Sequence, residues 1–298
     1  MNYENEVGCV KIGIVILNYN KSELVKSMAE KISLYRNIDY VVIVDNNSKD
    51  NSREVFAGIN NSKIVVIYSD CNGGYAKGNN IGLRYLVEKL SCDVVFVANP
   101  DVEFGEDVIE CISNSFEKYD EYAIISSART DDSGKSKCLQ YSKAFDTFAL
   151  QFFNSFILSS YILKKLYYSF DVDKSKDIIT VDEIPGAFWA AKSSVLKKIG
   201  YMDEGTFLFC EELCLSKKIK NAGYKEGIVT AVKYRHNHYT YSTTVTSSVD
   251  KKTRRLRNLK FTIDSRNFFR KKYLKLNKIQ KKLLIIADKW CFFERKFF

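Results

Sequence analysis

Five short apolar runs punctuate the first half of the chain: "KIGIVIL" from residue 11, "YVVIV" from 40, "KIVVIY" from 63, "DVVFVA" from 93 and "YAIISSA" from 122. They are continuous rather than alternating, as expected of strands buried on both faces. Between them, "KSELVKSMAEKISLY" places Leu24, Val25, Met28 and Ile32 at helical spacing, and "GYAKGNNIGLRYLVEKL" reads as a glycine-rich loop entering a helix. Strands alternating with helices predict an α/β, Rossmann-like, mainly parallel central sheet. Further on, "EIPGAFWAAKSSVLKKIG" predicts a strand after Pro185-Gly186 and then a helix. "FLFCEELCLSKKIKNAGY" predicts a loop entering a helix that stops at Gly223, and "KEGIVTAVKYRHNHY" another strand. Residues 138–181 break the rhythm. Rich in Phe, Tyr, Leu and Ser, they leave a helical insertion, a lipid-facing surface and core packing open.

In such sheets ligands bind beyond the carboxyl ends of the strands. Each early strand here ends in a polar cluster: Asn18-Tyr19-Asn20, Asp45-Asn46-Asn47-Ser48, Ser69-Asp70 and Asn99-Pro100-Asp101. One such cluster is ordinary loop chemistry. Four that meet along one rim mark a site. No GxGxxG follows the first strand, and neither GxxxxGK[ST] nor GxSxG occurs, which argues against a dinucleotide fingerprint, a P-loop and a hydrolase elbow.

The net charge of +10 is unevenly placed. Residues 251–298 hold 17 Lys and Arg against Asp264, Asp288 and Glu294, whereas the other 250 residues carry 29 basic and 33 acidic groups. A nucleic-acid enzyme would spread basic charge around its cleft, so no nucleic-acid partner is expected. A tail both basic and apolar suits an anionic membrane surface. The longest uncharged run, Thr147–Leu163, is polar-interrupted and short for a span. The polar start "MNYENEVGCV" and eight cysteines without CxxC pairs suggest a reduced, cytoplasmic protein, peripheral on the inner face of the cell membrane. Cys210 and Cys214, four apart, would need further ligands to hold zinc.

Six motifs in order resemble a known family. "NYN" at 18–20, "VDNNSKD" at 44–50, "NGGYAKGNN" at 72–80, "NPDV" at 99–102, "GAFWAAK" at 186–192 and "FLFCEELCLSKKIKNAGY" at 207–224 look like an inverting glycosyltransferase of family two. The fold implied is the A-type nucleotide-sugar fold, and the branch most resembled is that of bacterial rhamnosyltransferases. The resemblance covers roughly residues 10–240. It implies a catalytic domain over 1–240 and a basic amphipathic helical tail over 241–298. Within the tail, "DSRNFFRKKYLKL" resembles the Arg-Asn, basic-aromatic stretch that commonly follows this domain.

The resemblance implies roles residue by residue. Asp101 would bind Mg²⁺ or Mn²⁺ bridging the donor diphosphate, with His236 completing the metal site. Hard oxygen ligands suit such cations, and Pro100 pre-sets the turn. Asn99, replacing the family's first Asp, would touch ribose or phosphate. Asp45 would accept from the N3–H of uracil or thymine, beside Asn46 and flanked by Asn18, Tyr19 and Asn20. Gly74 would allow close approach to the donor, with Lys77 and Asn80 as polar contacts. Glu212, with Glu211 beside it, stands where the family writes its catalytic Asp, across one pocket from Asp101. Cys214 replaces a further Asp. The expected reaction moves one sugar, dTDP-rhamnose leading and UDP-hexose or UDP-galactofuranose second, onto a saccharide or lipid-linked saccharide in cell-surface polysaccharide assembly. Glu212 and Cys214 also leave room for an inactive nucleotide-sugar-binding relative.

Overall fold

The computed structural model describes residues 10–130, 140–141, 144–169, 175–237 and 251–297. The amino-terminal half is built from β1 (Ile12–Asn18), α1 (Ser22–Ser33), β2 (Tyr40–Asp45), α2 (Ser52–Ala57), β3 (Ile64–Tyr68), α3 (Gly74–Arg84), β4 (Val94–Ala98), β5 (Val102–Glu103), α4 (Glu106–Lys118) and β6 (Tyr122–Thr130). There follow β7 (Gln140–Tyr141), α5 (Phe148–Phe153), α6 (Ile157–Tyr167), β8 (Tyr168–Ser169), β9 (Ile178–Val181), β10 (Phe188–Lys192), α7 (Ser193–Ile199), α8 (Glu211–Asn221), β11 (Lys225–His236), α9 (Lys251–Tyr273) and α10 (Lys278–Phe297). The main sheet runs β3-β2-β1-β4-β10-β6-β11-β5, with β9 also on β11.

Strands β3, β2, β1 and β4 are parallel, as the continuous apolar runs predict. β10 enters antiparallel between β4 and β6, so the sheet is mixed. Ile14, Val15 and Ile16 of β1 are fully buried, whereas every residue of β3 is only partly buried. The sequence suggests a buried third strand; β3 is instead the edge, and edge strands lack one covering neighbour. Gly223 lies just past α8 at φ +87°, the left-handed geometry that ends a helix.

Segment 138–181 contains the pair α5 and α6, and these pack on α10. The carboxyl-terminal helices are tied down by polar bonds. Arg270 is buried and donates to Asp288 (2.6 Å) and to Gln151 Oε1 (3.0 Å), linking α9 to α10 and α5. Lys272 and Tyr273 both bond Asp203, and Ser265 Oγ donates to Leu208 O at 2.9 Å. Among the described residues no helix is long and apolar enough to cross a membrane.

Removing one partner of a buried ion pair strands the other. Asp288→Ala should therefore lower stability by roughly 3–5 kcal/mol, read by urea unfolding, and Arg270→Met with Asp288→Leu should recover most of the loss.

Candidate active site

Parallel register brings Asn18 of β1 beside Asp45 of β2 at the strand ends. Asn18 Nδ2 donates to Asp45 Oδ1 at 2.8 Å and to Ser52 Oγ at 2.9 Å, and Ser48 N to Asp45 Oδ2 at 3.3 Å. Asn18, Asp45 and Asn46 are all buried. Asn46 gives its amide to Asn72 Oδ1 and Gly74 O and accepts from Gly73 N. Tyr19 and Asn20 form the exposed part of the corner, where Asn20 (φ +55°) donates its N–H to Ser48 Oγ.

The glycine-rich motif does different work from that expected. Gly74 has φ +84°, and a Cβ there would collide with the backbone of Phe207. Its close approach is to protein, reinforced by Tyr75 N–H donating to Phe207 O at 2.9 Å. Asn80 is fully buried and exhausts its amide on Met202 and Glu204. It is a strut between α3 and the 202–204 loop, out of a ligand's reach. Lys77 is exposed.

Asn99-Pro100-Asp101 closes a tight turn, with Val102 N–H donating to Asn99 O at 3.2 Å. β5 then pairs antiparallel with the end of β11, placing His236 opposite Val102. The result is His236 Nε2 at 3.2 Å from Asp101 Oδ1. Burial pushes the Asp101 carboxyl up, but the hydrogen bond and charge of His236, with Lys21, outweigh it and hold the group below its ordinary range. One carboxylate and one imidazole this close fit a divalent cation whose other ligands come from phosphate and water. Among the described residues no cluster of three or more His, Cys, Asp or Glu could hold a metal unaided. His238 lies outside the described residues.

A cavity of about 560 Å³ is lined by Asn99 and His236 from the sheet rim, by the 183–187 segment, by Glu211 and Glu212 of α8, and by residues of α5, α6 and α9. Asp101 itself lines a smaller cavity of about 220 Å³ with Glu103 and Asn237. It meets the larger one through His236, not by lining the same wall as Glu212.

α8 begins at an unusual corner. Phe209 (φ +72°) and Cys210 (φ +63°) are both left-handed without being glycine, a geometry uncommon enough to mark a functional turn. It delivers two glutamates into the cavity wall. Glu211 is buried, its Oε1 has no hydrogen-bond partner, and burial together with the Glu212 charge pushes its carboxyl up to about 8. Glu212 is partly exposed; burial raises it too, partly offset by backbone bonds from its own segment and Gly186. A Cβ on Gly186 would overlap Glu212 Oε1, so glycine is required for this approach. Tyr75 OH donates to Gly186 O at 2.5 Å.

Several residues that line the cavity or bond to its wall escape a motif reading. Glu183 is pushed well up by burial and by Glu212 and Glu226. Glu226, buried on β11, bonds Ile184 N at 3.0 Å and is raised by burial to about 8. Lys164 and Arg266 come from α6 and α9. A local cue existed only for Glu183, which stands two residues before Pro185-Gly186.

Comparison with known proteins fits this architecture. The chain is similar to the low-salt glycan biosynthesis hexosyltransferase Agl10 of Haloferax volcanii, with 27% identity over 227 residues, 76% of this chain and 67% of that protein. The structure resembles the mannosyltransferase PcManGT of Pyrobaculum calidifontis, solved with GDP-Man and Mn²⁺ (TM-score 0.56, 14% identity, 96% of this chain and 72% of the other). It also resembles GalNAc-T7 with UDP, GalNAc and Mn²⁺ (0.56, 13%, 78% and 44%) and TarS residues 1–349 of S. aureus (0.53, 12%, 96% and 80%). At these identities the structural likeness speaks for the fold, an A-type glycosyltransferase sheet with carboxyl-terminal helices. The profile of glycosyl transferase family 2 matches residues 13–200, well over half of the sequence, and on that ground the chain belongs to glycosyl transferase family 2.

Proposed function

We propose that this chain moves a single sugar from a nucleoside-diphosphate sugar to a saccharide hydroxyl, with inversion at the anomeric carbon. The observation that carries the reading is Glu212, a partly exposed residue whose carboxylate lies against Gly186 in a cavity whose sheet-side wall carries Asn99 and His236. A general base for this reaction must reach the attacking hydroxyl and hold a pKa near the working pH. Glu212 meets the first need by lining the cavity, and burial raises its proton affinity above that of an ordinary glutamate. Glu211 lies beside it, and two adjacent carboxylates resist ionising together, which raises the proton affinity of the pair.

Asp101 and His236 are the residues that would hold Mg²⁺ or Mn²⁺, and such a cation, when bound, offsets charge gathering on the departing diphosphate. Asp45, kept in place by Asn18 and Ser48, would read the base as an acceptor, which suits uracil or thymine. Asn18 and Asn46 then act by positioning the corner. For the donor sugar, the hexosyltransferase relative favours a hexose. The dTDP-rhamnose alternative rests on "NPDV" and "NGGYAKGNN", and Gly74 of the latter already has a structural reason in the Phe207 contact. Glycan assembly at an anionic membrane surface is the setting favoured by the basic tail.

A second reading, nucleotide-sugar binding without transfer, draws on Cys214. It is fully buried among Ala144, Leu213 and Phe269, so this position offers the acceptor nothing.

Three outcomes test the transferase reading. In a donor screen by nucleoside-diphosphate release with Mn²⁺ and an acceptor panel, Glu212→Gln should lose about 10²–10⁴ in kcat and Asp101→Ala about 10²–10³. Nucleotide binding without turnover on any acceptor would instead support the second reading. The kcat–pH profile should rise along an acid limb lying above the ordinary glutamate range, because the raised Glu212 carboxyl must lose its proton to work; that limb should vanish in the residual activity of Glu212→Gln. Gly186→Ala should cut kcat roughly 100-fold by pushing Glu212 aside, with little change in Tm.

A further inference from the structure

The cavity has a basic end that the transfer chemistry above does not use. Lys164 of α6 and Arg266 of α9 both line it, while the acids come from the 183–187 segment and α8. Arg266 Nη1 is buried and has no hydrogen-bond partner. The charges that act on the exposed Lys164 are Arg266 and Arg295, both of its own sign. Two carboxylates of α10 already have partners, although Asp288 also feels the Arg266 charge. Asp288 is bonded by Arg270 at 2.6 Å, and Glu294 accepts from Ile157 N at 2.9 Å and lies 3.9 Å from Arg295. Among the described residues neither Lys164 nor Arg266 makes an ion pair. Two like charges with a buried, unanswered guanidinium N–H are unfavourable alone and are relieved together by one shared anion. An arginine fork beside an ammonium suits a phosphate or diphosphate.

The same helical layer says what carries that anion. On α10, Ile279, Leu283, Ile286, Trp290, Phe293 and Phe297 recur at intervals of four and three residues, and all are exposed, Trp290 by 51%. They form one stripe, on a different face from the buried Leu284, Ala287 and Cys291. Lys278, Lys282, Lys289 and Lys296 fall along its border by the same helical geometry. α6, which bears Lys164, adds exposed Leu158, Tyr161 and Leu166. An exposed apolar stripe edged with lysine is the face of a helix lying in an anionic membrane interface.

We infer that Lys164 and Arg266 form an anion subsite for the phosphate or diphosphate of a lipid-carried acceptor. This rests on the transferase reading for its last step, in which the acceptor's sugar hydroxyl faces Glu212. The anion site itself is measurable without turnover.

The test is equilibrium binding to the full-length protein of farnesyl diphosphate, farnesol and inorganic pyrophosphate in EDTA, with UDP, dTDP and GDP measured separately in Mn²⁺. Farnesyl diphosphate should bind at least about tenfold tighter than either fragment, and Lys164→Gln and Arg266→Gln should each weaken it about tenfold, the worth of one charge-assisted contact. Nucleotide binding should stay within about twofold, and Arg266→Lys should keep most of the affinity. Thermal melts check folding; should Arg266→Gln fail to fold, the exposed Lys164→Gln carries the result. Unchanged farnesyl diphosphate affinity in the variants would overturn the site. Equal affinity for pyrophosphate would overturn the lipid carrier, and complete displacement by a nucleotide with Mn²⁺ would assign the site to the donor instead. Loss of all nucleotide binding in the unmodified protein would count against the transferase reading and leave the farnesyl diphosphate comparison intact.

Discussion

Four glutamates converge on the short segment 183–187, and the rest of the site is arranged around the cost of keeping them there. Glu226 holds Ile184 from below, Glu212 lies against Gly186, Glu183 belongs to the segment and Glu211 shares a helix turn with Glu212. Burial raises all four, with Glu211 and Glu226 both reaching about 8. The start of α8 favours negative charge through its backbone dipole, yet burial dominates. The consequence is a set of carboxyls with raised proton affinity, and such a group is a stronger base once it has lost its own proton.

That acid cluster is fixed by contacts distant in sequence. Tyr75, from the start of α3, donates to Gly186 O through its hydroxyl and to Phe207 O through its backbone. The glycine-rich motif therefore braces both the 183–187 segment and the loop into α8. On the other side, pairing of β5 with β11 sets His236 beside Asp101, while Asn99 gives its N–H to Ala187 O. His236, in contact with Asp101, thus lines the same cavity as Glu211 and Glu212. The carboxyl-terminal helices complete the enclosure. α9 brings Thr262 and Arg266 to the cavity, so the basic tail is part of the wall as well as a flank.

Much of this was legible in the residues. Apolar runs located the strands, because a strand covered on both faces has few alternatives to Val, Ile and Phe. Polar residues at their ends located the rim, because parallel strands expose their carboxyl ends together. The six motifs carried the family. Less legible was the work of single side chains. Asn80 reads as a ligand contact in "NGGYAKGNN" and proves to be a buried strut to Met202 and Glu204. Gly74 reads as room for a donor and proves to be room for Phe207. A motif records that a residue type is needed and is silent on what it touches.

The sequence by itself determined the element order, the rim, Glu212 and Asp101 as acids at loop corners, and the split of charge between body and tail, since each follows from local composition and period. Only the tertiary structure decided that β10 runs antiparallel, that Asp101 reaches the main cavity through His236, that Glu183 and Glu226 join the acid cluster, and that Lys164 and Arg266 line one cavity with no ion pair among the described residues. These depend on which distant segments pack side by side, and burial and proximity, the two quantities that set a charge's behaviour, exist only once the chain has closed on itself.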